Sequence, residues 1–160
     1  MTEIIDSTTA TDFFRLGSVA LVGASDDKKH FSNAVFRALE EHGVHPVPVN
    51  PHEETVAGRT CYPTVAAVPG PLDGVIVMVN RATAVQIVKE CIARGVTHVW
   101  LFKGIGGQSA MSDEAVALCR AHGVEVIPGA CPMMFLRPVK GFHRFHHGMR
   151  RLHGAIGSPA

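Results

Sequence analysis

The residues with the clearest chemistry in this sequence form a short turn, Gly23-Ala24-Ser25. It lies between the apolar run Val19-Ala20-Leu21-Val22 and a stretch in which Phe31, Val35, Ala38, Leu39 and His42 recur at three- and four-residue spacing. The run is too short for a helix and reads as a buried strand. The second stretch reads as a helix with one apolar face, ended by Gly43. A tight turn from strand into helix leaves main-chain N–H groups unpaired at the helix start, where the aligned peptide dipoles favour an anion. The implied chemistry is phosphate binding by backbone alone, with glycine at position 23 letting the phosphate approach. The G-x-G-x-x-G pattern of dinucleotide sites is incomplete, because a long polar loop follows Gly23; an ordinary strand–helix connection is an equal reading of this stretch taken by itself.

Further candidate groups fall near the same place. Asn50 stands at the end of the next strand, where an NAD enzyme usually carries Asp or Glu to accept hydrogen bonds from the adenosine ribose. An amide there lowers NAD and leaves room for a nucleotide with a phosphorylated ribose, such as NADP or coenzyme A. Lys28, Lys29, His30 and His52 lie in loops near this edge, and Arg81 and Lys103 close two other loops there. Each alone is as readily a solvated surface charge, so their shared edge is the better argument. Cys131, in Pro128-Gly129-Ala130-Cys131-Pro132, follows the last strand and is either a reactive thiol or, more commonly, a buried inert one. His143, His146, His147 and His153 look like a metal set. However, Phe142 and Phe145 mark the apolar stripe and no acid or cysteine lies nearby, so no metal site is expected. Ser25 lacks the G-x-S-x-G elbow, and the loops hold no paired catalytic carboxylates beyond Asp26-Asp27, which read as helix caps.

The elements that position these groups alternate. Ala10–Leu16 forms a short helix whose Phe13, Phe14 and Leu16 cover the edge or bottom of a sheet. His45-Pro46-Val47-Pro48-Val49 is a strand whose prolines suit its start or an edge position. Asn50-Pro51 turns the chain, His52–Thr60 is loop-like, and Cys61–Val68 holds one helical turn. Val75–Val79 is the clearest buried strand. Ala84, Val85, Val88, Cys91 and Ile92 then draw a helical stripe that Gly95 closes. His98–Phe102 is a strand followed by the glycine-rich loop Lys103-Gly104-Ile105-Gly106-Gly107. Ser112 caps a helix running to Gly123, with Asp113 and Glu114 complementing its dipole, and Val124–Ile127 is the last strand. Such alternation implies an α/β domain with a parallel sheet of five strands, covered on both faces, and ligands beyond the carboxyl ends of its strands. Phe142, Phe145, Met149, Leu152 and Ile156 draw an apolar seam on a basic helix over 138–157. That helix should dock on its own domain, a twin subunit, an acidic partner or a membrane surface.

A chain of 160 residues that is 46% apolar suits a single globular domain over 1–160, with a core over 12–132. A formal net charge of +1, from 15 basic and 14 acidic side chains, gives no bulk field for nucleic acid. The tail is basic, since Glu125 is the last acid. Cys61, Cys91, Cys119 and Cys131 show no C-x-x-C pairing, which suits reduced thiols in a cytoplasm. Neither a signal peptide nor a spanning helix is expected.

Phe14-Arg15-Leu16-Gly17-Ser18-Val19-Ala20-Leu21-Val22-Gly23-Ala24-Ser25, then Val47-Pro48-Val49-Asn50-Pro51, Gly58, Val79-Asn80-Arg81 and Gly129-Ala130-Cys131-Pro132, resemble a known family. It comprises the coenzyme A-binding domains related to the amino-terminal part of the succinyl-CoA synthetase α subunit and of the ADP-forming acyl-CoA synthetases. The resemblance implies a Rossmann-like, three-layer fold that binds CoA along the carboxyl edge. Gly23, Ala24 and Ser25 would hold diphosphate, Asn50 and Pro51 would lie beside the adenosine, Asn80 and Arg81 would border the cofactor, and Lys103-Gly104 would face the pantetheine arm. Relatives often carry glycine where this chain reads Phe31-Ser32-Asn33-Ala34, and lysine where His52 stands; Lys28 or Lys29 would compensate. The large synthetases also need a domain with a phosphorylated histidine and a nucleotide-grasp module, for which this chain has no room. The expectation is therefore a small cytoplasmic protein that binds CoA or acyl-CoA and is not an enzyme by itself, serving as carrier, sensor or detached subunit. The alternatives are an NADP-binding oxidoreductase-like domain and a CoA-binding protein regulated through a Cys131 mixed disulfide. Gly23→Val is expected to abolish binding while leaving the fold largely intact.

Overall fold

In the computed structural model, residues 5–104 and 109–136 are described. Their elements in chain order are α1 (Ser7–Phe14), β1 (Val19–Val22), α2 (Phe31–Glu41), β2 (Val47–Val49), β3 (Thr55–Val56), β4 (Arg59–Thr60), β5 (Gly74–Val77), α3 (Arg81–Arg94), β6 (His98–Phe102), α4 (Asp113–Ala121) and β7 (Glu125–Ala130). A short 3-10 turn, Pro132–Met134, ends the described chain.

Every residue of β1 and of β5 is buried, which is why both read as unbroken apolar runs. The five long strands form one sheet in the order β2-β1-β5-β6-β7, parallel throughout. Successive side chains point to opposite faces. Val19, Leu21, Ile76, Trp100 and Ile127 accordingly pack on one side with Phe13 of α1 and Val35, Phe36 and Leu39 of α2. Ala20, Val22, Val75, Val77, Val99 and Leu101 pack on the other with Val88 and Cys91 of α3 and Cys119 of α4. The result is three layers. Trp100 anchors the first face: its indole N–H donates to the Ala130 carbonyl at 2.9 Å, and the rings of Phe13 and Phe14 lie 5.4 Å away.

Local chemistry sets the ends of the elements. Asp6 Oδ1 accepts from Thr8 N–H, so α1 starts earlier than the apolar pattern suggests. Asn80 caps α3 by accepting from Thr83 N–H at 2.9 Å, and Gly95, in the left-handed region, closes it. Ser112 caps α4 in the same way. β2 is the edge strand, as its prolines require, and its outer side is not bare: Tyr62 N–H donates to Pro48 and Asn50 N–H donates to Tyr62.

Three expectations are corrected. Residues 52–60 contain the hairpin β3–β4, whose two-residue turn places both Ala57 (φ 52°) and Gly58 (φ 75°) in the left-handed region. Cys61–Val68 forms hydrogen-bonded turns rather than a helix. Those turns are tied down by Arg94, whose guanidinium donates to the Val65, Ala66, Val68 and Gly70 carbonyls. The strand read as Val75–Val79 ends at Val77, because Met78 and Val79 turn toward the α3 cap. The helix expected over 138–157, and the histidines on it, lie outside the described residues. Among those described, no helix is long and apolar enough to cross a membrane.

Candidate phosphate-binding site

The chain leaves β1 for β2 on one side and later places β5 on the other, so strand order reverses between β1 and β5. Adjacent crossovers diverge at such a point and open a crevice at the carboxyl edge. Gly23 sits at its floor with φ +92°, its N–H donating to Val49 at 2.9 Å. A β-carbon added here would come within 2.3 Å of the Met78 carbonyl oxygen. Met78 cannot easily yield, since its own N–H is bonded to Val22 at 2.9 Å. The backbone just past β5 thus already requires glycine here, before any ligand is considered. The expectation that Gly23→Val would leave the fold largely intact is corrected accordingly.

The following loop is held from three directions. Asn50 Nδ2 donates to the Ala24 carbonyl at 2.8 Å, while its Oδ1 accepts from His52 N–H at 2.9 Å. Asn33, buried in the first turn of α2, donates to the Ser25 carbonyl at 3.0 Å. Ser25 Oγ, also buried, accepts from Asp27 N–H at 3.0 Å and donates to Glu53 Oε1 at 3.3 Å. Asp26 and Asp27 do not cap α2 as expected. Asp26 accepts from Ala57 N–H at 2.7 Å and Asp27 from Lys29 N–H at 2.9 Å. The cap position belongs to His30, whose side chain makes no capping bond. The start of α2 therefore presents first-turn N–H groups that no side chain of the cap covers, beside a loop fixed by its own hydrogen bonds.

A small open pocket lies here, lined by Gly23, His30, Phe31, Ser32, Met78 and Phe102. Phe31 does not join the apolar face of α2, as its spacing suggested. It stands at the pocket mouth, 41% exposed, with its ring 5.7 Å from that of Phe102. Among the described residues it is the only large hydrophobic side chain left exposed.

Lys28, Lys29, Pro51 and His52 are exposed around this crevice. Gly23, Ala24, Ser25, Asn50 and His52 are joined through the bonds above. A β-carbon added at Gly104 would come within 3.0 Å of the Phe102 ring and one added at Gly129 within 3.4 Å of the Lys103 alkyl chain; Lys103 is exposed and pairs by backbone with Ser109. The glycine-rich loop between them lies mostly outside the described residues. Asn80 and Arg81 start α3 on the same edge, next to Met78; Asn80's amide oxygen is committed to its cap, and neither residue is bonded to the β1–α2 loop. Cys131, considered as a thiol on the ligand edge, is fully buried. Cys61 Sγ donates to the Asn50 carbonyl at 3.7 Å, and burial pushes its pKa up. No group of three or more His, Cys, Asp or Glu among the described residues could hold a metal ion.

Sequence reasoning did not find Asn33, Phe31, Phe102 or Glu53. Asn33 and Glu53 are polar residues whose partners lie 8 and 28 positions away. Phe31 carried the signal of an aromatic side chain directly after a polar loop.

Three relatives bear on the family. The chain is 31% identical over 125 residues to the ADP-forming acetate–CoA ligase II subunit alpha of Pyrococcus furiosus, covering 74% of this chain and 27% of that subunit. It therefore spans about a quarter of that relative's length. It is 25% identical over 113 residues to the uncharacterized protein YneT of Bacillus subtilis, covering 71% of this chain and 80% of YneT. A solved structure, a hypothetical protein from Pyrococcus horikoshii OT3, superposes with a TM-score of 0.75 at 28% identity, covering 84% of this chain and 94% of that one. The family described as CoA binding domain matches residues 17–137, from just before β1 to just past the 3-10 turn, and this chain belongs to that family.

Proposed function

We propose that this chain binds coenzyme A or an acyl-CoA without catalysing a reaction itself, as a carrier, a sensor or a detached subunit of a larger enzyme. The observation that carries this is the pre-formed turn at the strand switch. Gly23, Ala24 and Ser25 run into a helix start without a side-chain cap, and Asn50 and Asn33 fix the carbonyls of Ala24 and Ser25 from behind. In this proposal the diphosphate rests on the N–H groups of Ala24 and Ser25 and of Phe31 and Ser32 at the start of α2, since the Gly23 N–H is taken by Val49 and that of Asn33 by His30. Lys28, Lys29 and His52 neutralise phosphate charge, with Asn50 and Pro51 on the adenosine side. The pantetheine arm runs over Phe31 and Phe102 toward Lys103 and Gly104, and Asn80 and Arg81 border it. Four buried cysteines that form no disulfide among the described residues suit a reducing cytoplasm. Membership of a CoA-binding family favours CoA over NADP.

A thermal-shift panel with CoA, dephospho-CoA, NAD and NADP tests the proposal. Stabilisation by CoA, weaker with dephospho-CoA, is expected. A clear shift with NADP and none with CoA would replace it with the oxidoreductase-like alternative.

A further inference from the structure

Position 50 carries an amide and not a carboxylate, and the same loop carries Glu53. Asn50 spends its amide on Ala24 and His52, whereas Glu53, on the same post-β2 loop, turns back so that Oε1 lies 3.3 Å from Ser25 Oγ. In doubly wound sheets the region beside the glycine turn and beyond the second strand takes the adenosine ribose, and an acid there accepts from a ribose hydroxyl.

Resting on the CoA assignment above, we propose that Glu53 determines specificity by accepting a hydrogen bond from the ribose 2′-hydroxyl and repelling a phosphate at that position. Three observations carry this. The Ser25 contact is long for an O–H···O bond, so the serine holds a place that a better donor can share, and a carboxylate has acceptor sites to spare. Glu53 makes no ion pair with the described residues, so no cation there competes for its acceptor oxygens. Its loop is fixed, tied at one end by Asn50 and at the other by Asp26 holding Ala57 N–H at 2.7 Å. CoA carries its ribose phosphate on the 3′ oxygen and leaves the 2′-hydroxyl free to donate. NADP does the reverse and would set phosphate against carboxylate.

The test uses the nucleotide halves of the two cofactors, adenosine 3′,5′-bisphosphate and adenosine 2′,5′-bisphosphate, titrated calorimetrically alongside CoA. Wild type is expected to prefer the 3′,5′ isomer by about tenfold or more, the order of one close charge repulsion at a partly exposed site. Glu53→Gln is expected to erase most of that preference while melting like wild type. If CoA binds wild type but Glu53→Gln leaves the isomer ratio unchanged, the role of Glu53 is overturned and the CoA assignment stands. If wild type binds neither CoA nor either isomer, both fall together.

Discussion

Gly23→Ala offers the sharpest stability test, because two separable costs meet at that position. An L-residue in the left-handed region costs roughly 1–2 kcal/mol, and Gly23 lies at φ +92°. Its new β-carbon would also approach the Met78 carbonyl oxygen to 2.3 Å, a backbone atom just past β5 that is held by the Met78 N–H bond to Val22 rather than the end of a flexible side chain. Overpacking of that kind typically adds about 1–3 kcal/mol. The sum is about 2–5 kcal/mol, or a fall in Tm of roughly 5–15 °C for a domain of this size. Gly95→Ala isolates the first cost, since Gly95 has φ +83° and nothing within 4 Å of an added β-carbon. Urea denaturation of both variants at 25 °C should show Gly23→Ala losing about 1–3 kcal/mol more than Gly95→Ala. CoA affinity of the folded protein should fall only in the former. Equal losses in the two variants would refute the close approach between the β1 turn and the end of β5.

Other perturbations read other parts of the site. Asn50→Asp puts a carboxylate oxygen where an amide donor now meets the Ala24 carbonyl at 2.8 Å. It should cost about 1–3 kcal/mol and weaken CoA binding, whereas wild-type urea midpoint and affinity would show that the clamp is dispensable. Phe31→Ser removes an exposed ring at the pocket mouth. It should change stability by less than about 1 kcal/mol while lowering affinity for CoA more than for adenosine 3′,5′-bisphosphate; an equal loss for both ligands would remove Phe31 from the pantetheine path. Burial pushes the Cys91 thiol up to about 12 and the Cys119 thiol up to about 11, from an ordinary value of 9.0. The folded state therefore holds these protons more tightly than the unfolded chain. Their contribution to stability is complete below pH 9 and is lost as pH rises from there through the folded values. Urea midpoints should fall above pH 9 with a shallower slope in the Cys91→Ala/Cys119→Ala double variant, and parallel slopes would contradict the burial argument.

The architecture was legible where a local pattern and the tertiary environment agree. β1 and β5 are buried on both faces and so read as continuous apolar runs, while Gly95 and Ser112 with Asp113 announce helix ends by cap chemistry; the Asn80 cap on α3 reads in the sequence only as the end of a strand. The β3–β4 hairpin was not legible, because Ala57 carries no signal for a positive φ and is held there by Asp26, 31 residues earlier. The turn at Gly23 was found, but for only part of its reason. A sequence shows that glycine follows a strand, not that Met78 leaves no room for anything else. The supporting shell was hidden in the same way: Asn33 in a helix and Glu53 in a polar loop look like surface residues until the fold brings Ser25 between them. Phe31 misled because its spacing fits the apolar stripe of α2, while its place at the helix start swings the ring toward Phe102.

A crystal of the protein grown with excess CoA would settle where the diphosphate rests. Its oxygens should accept hydrogen bonds from main-chain N–H groups of the Gly23–Ser25 turn and the first turn of α2, with Asn50 still holding Ala24. Electron density for CoA elsewhere, with that turn empty or filled by the protein's own side chains, would contradict the proposed function.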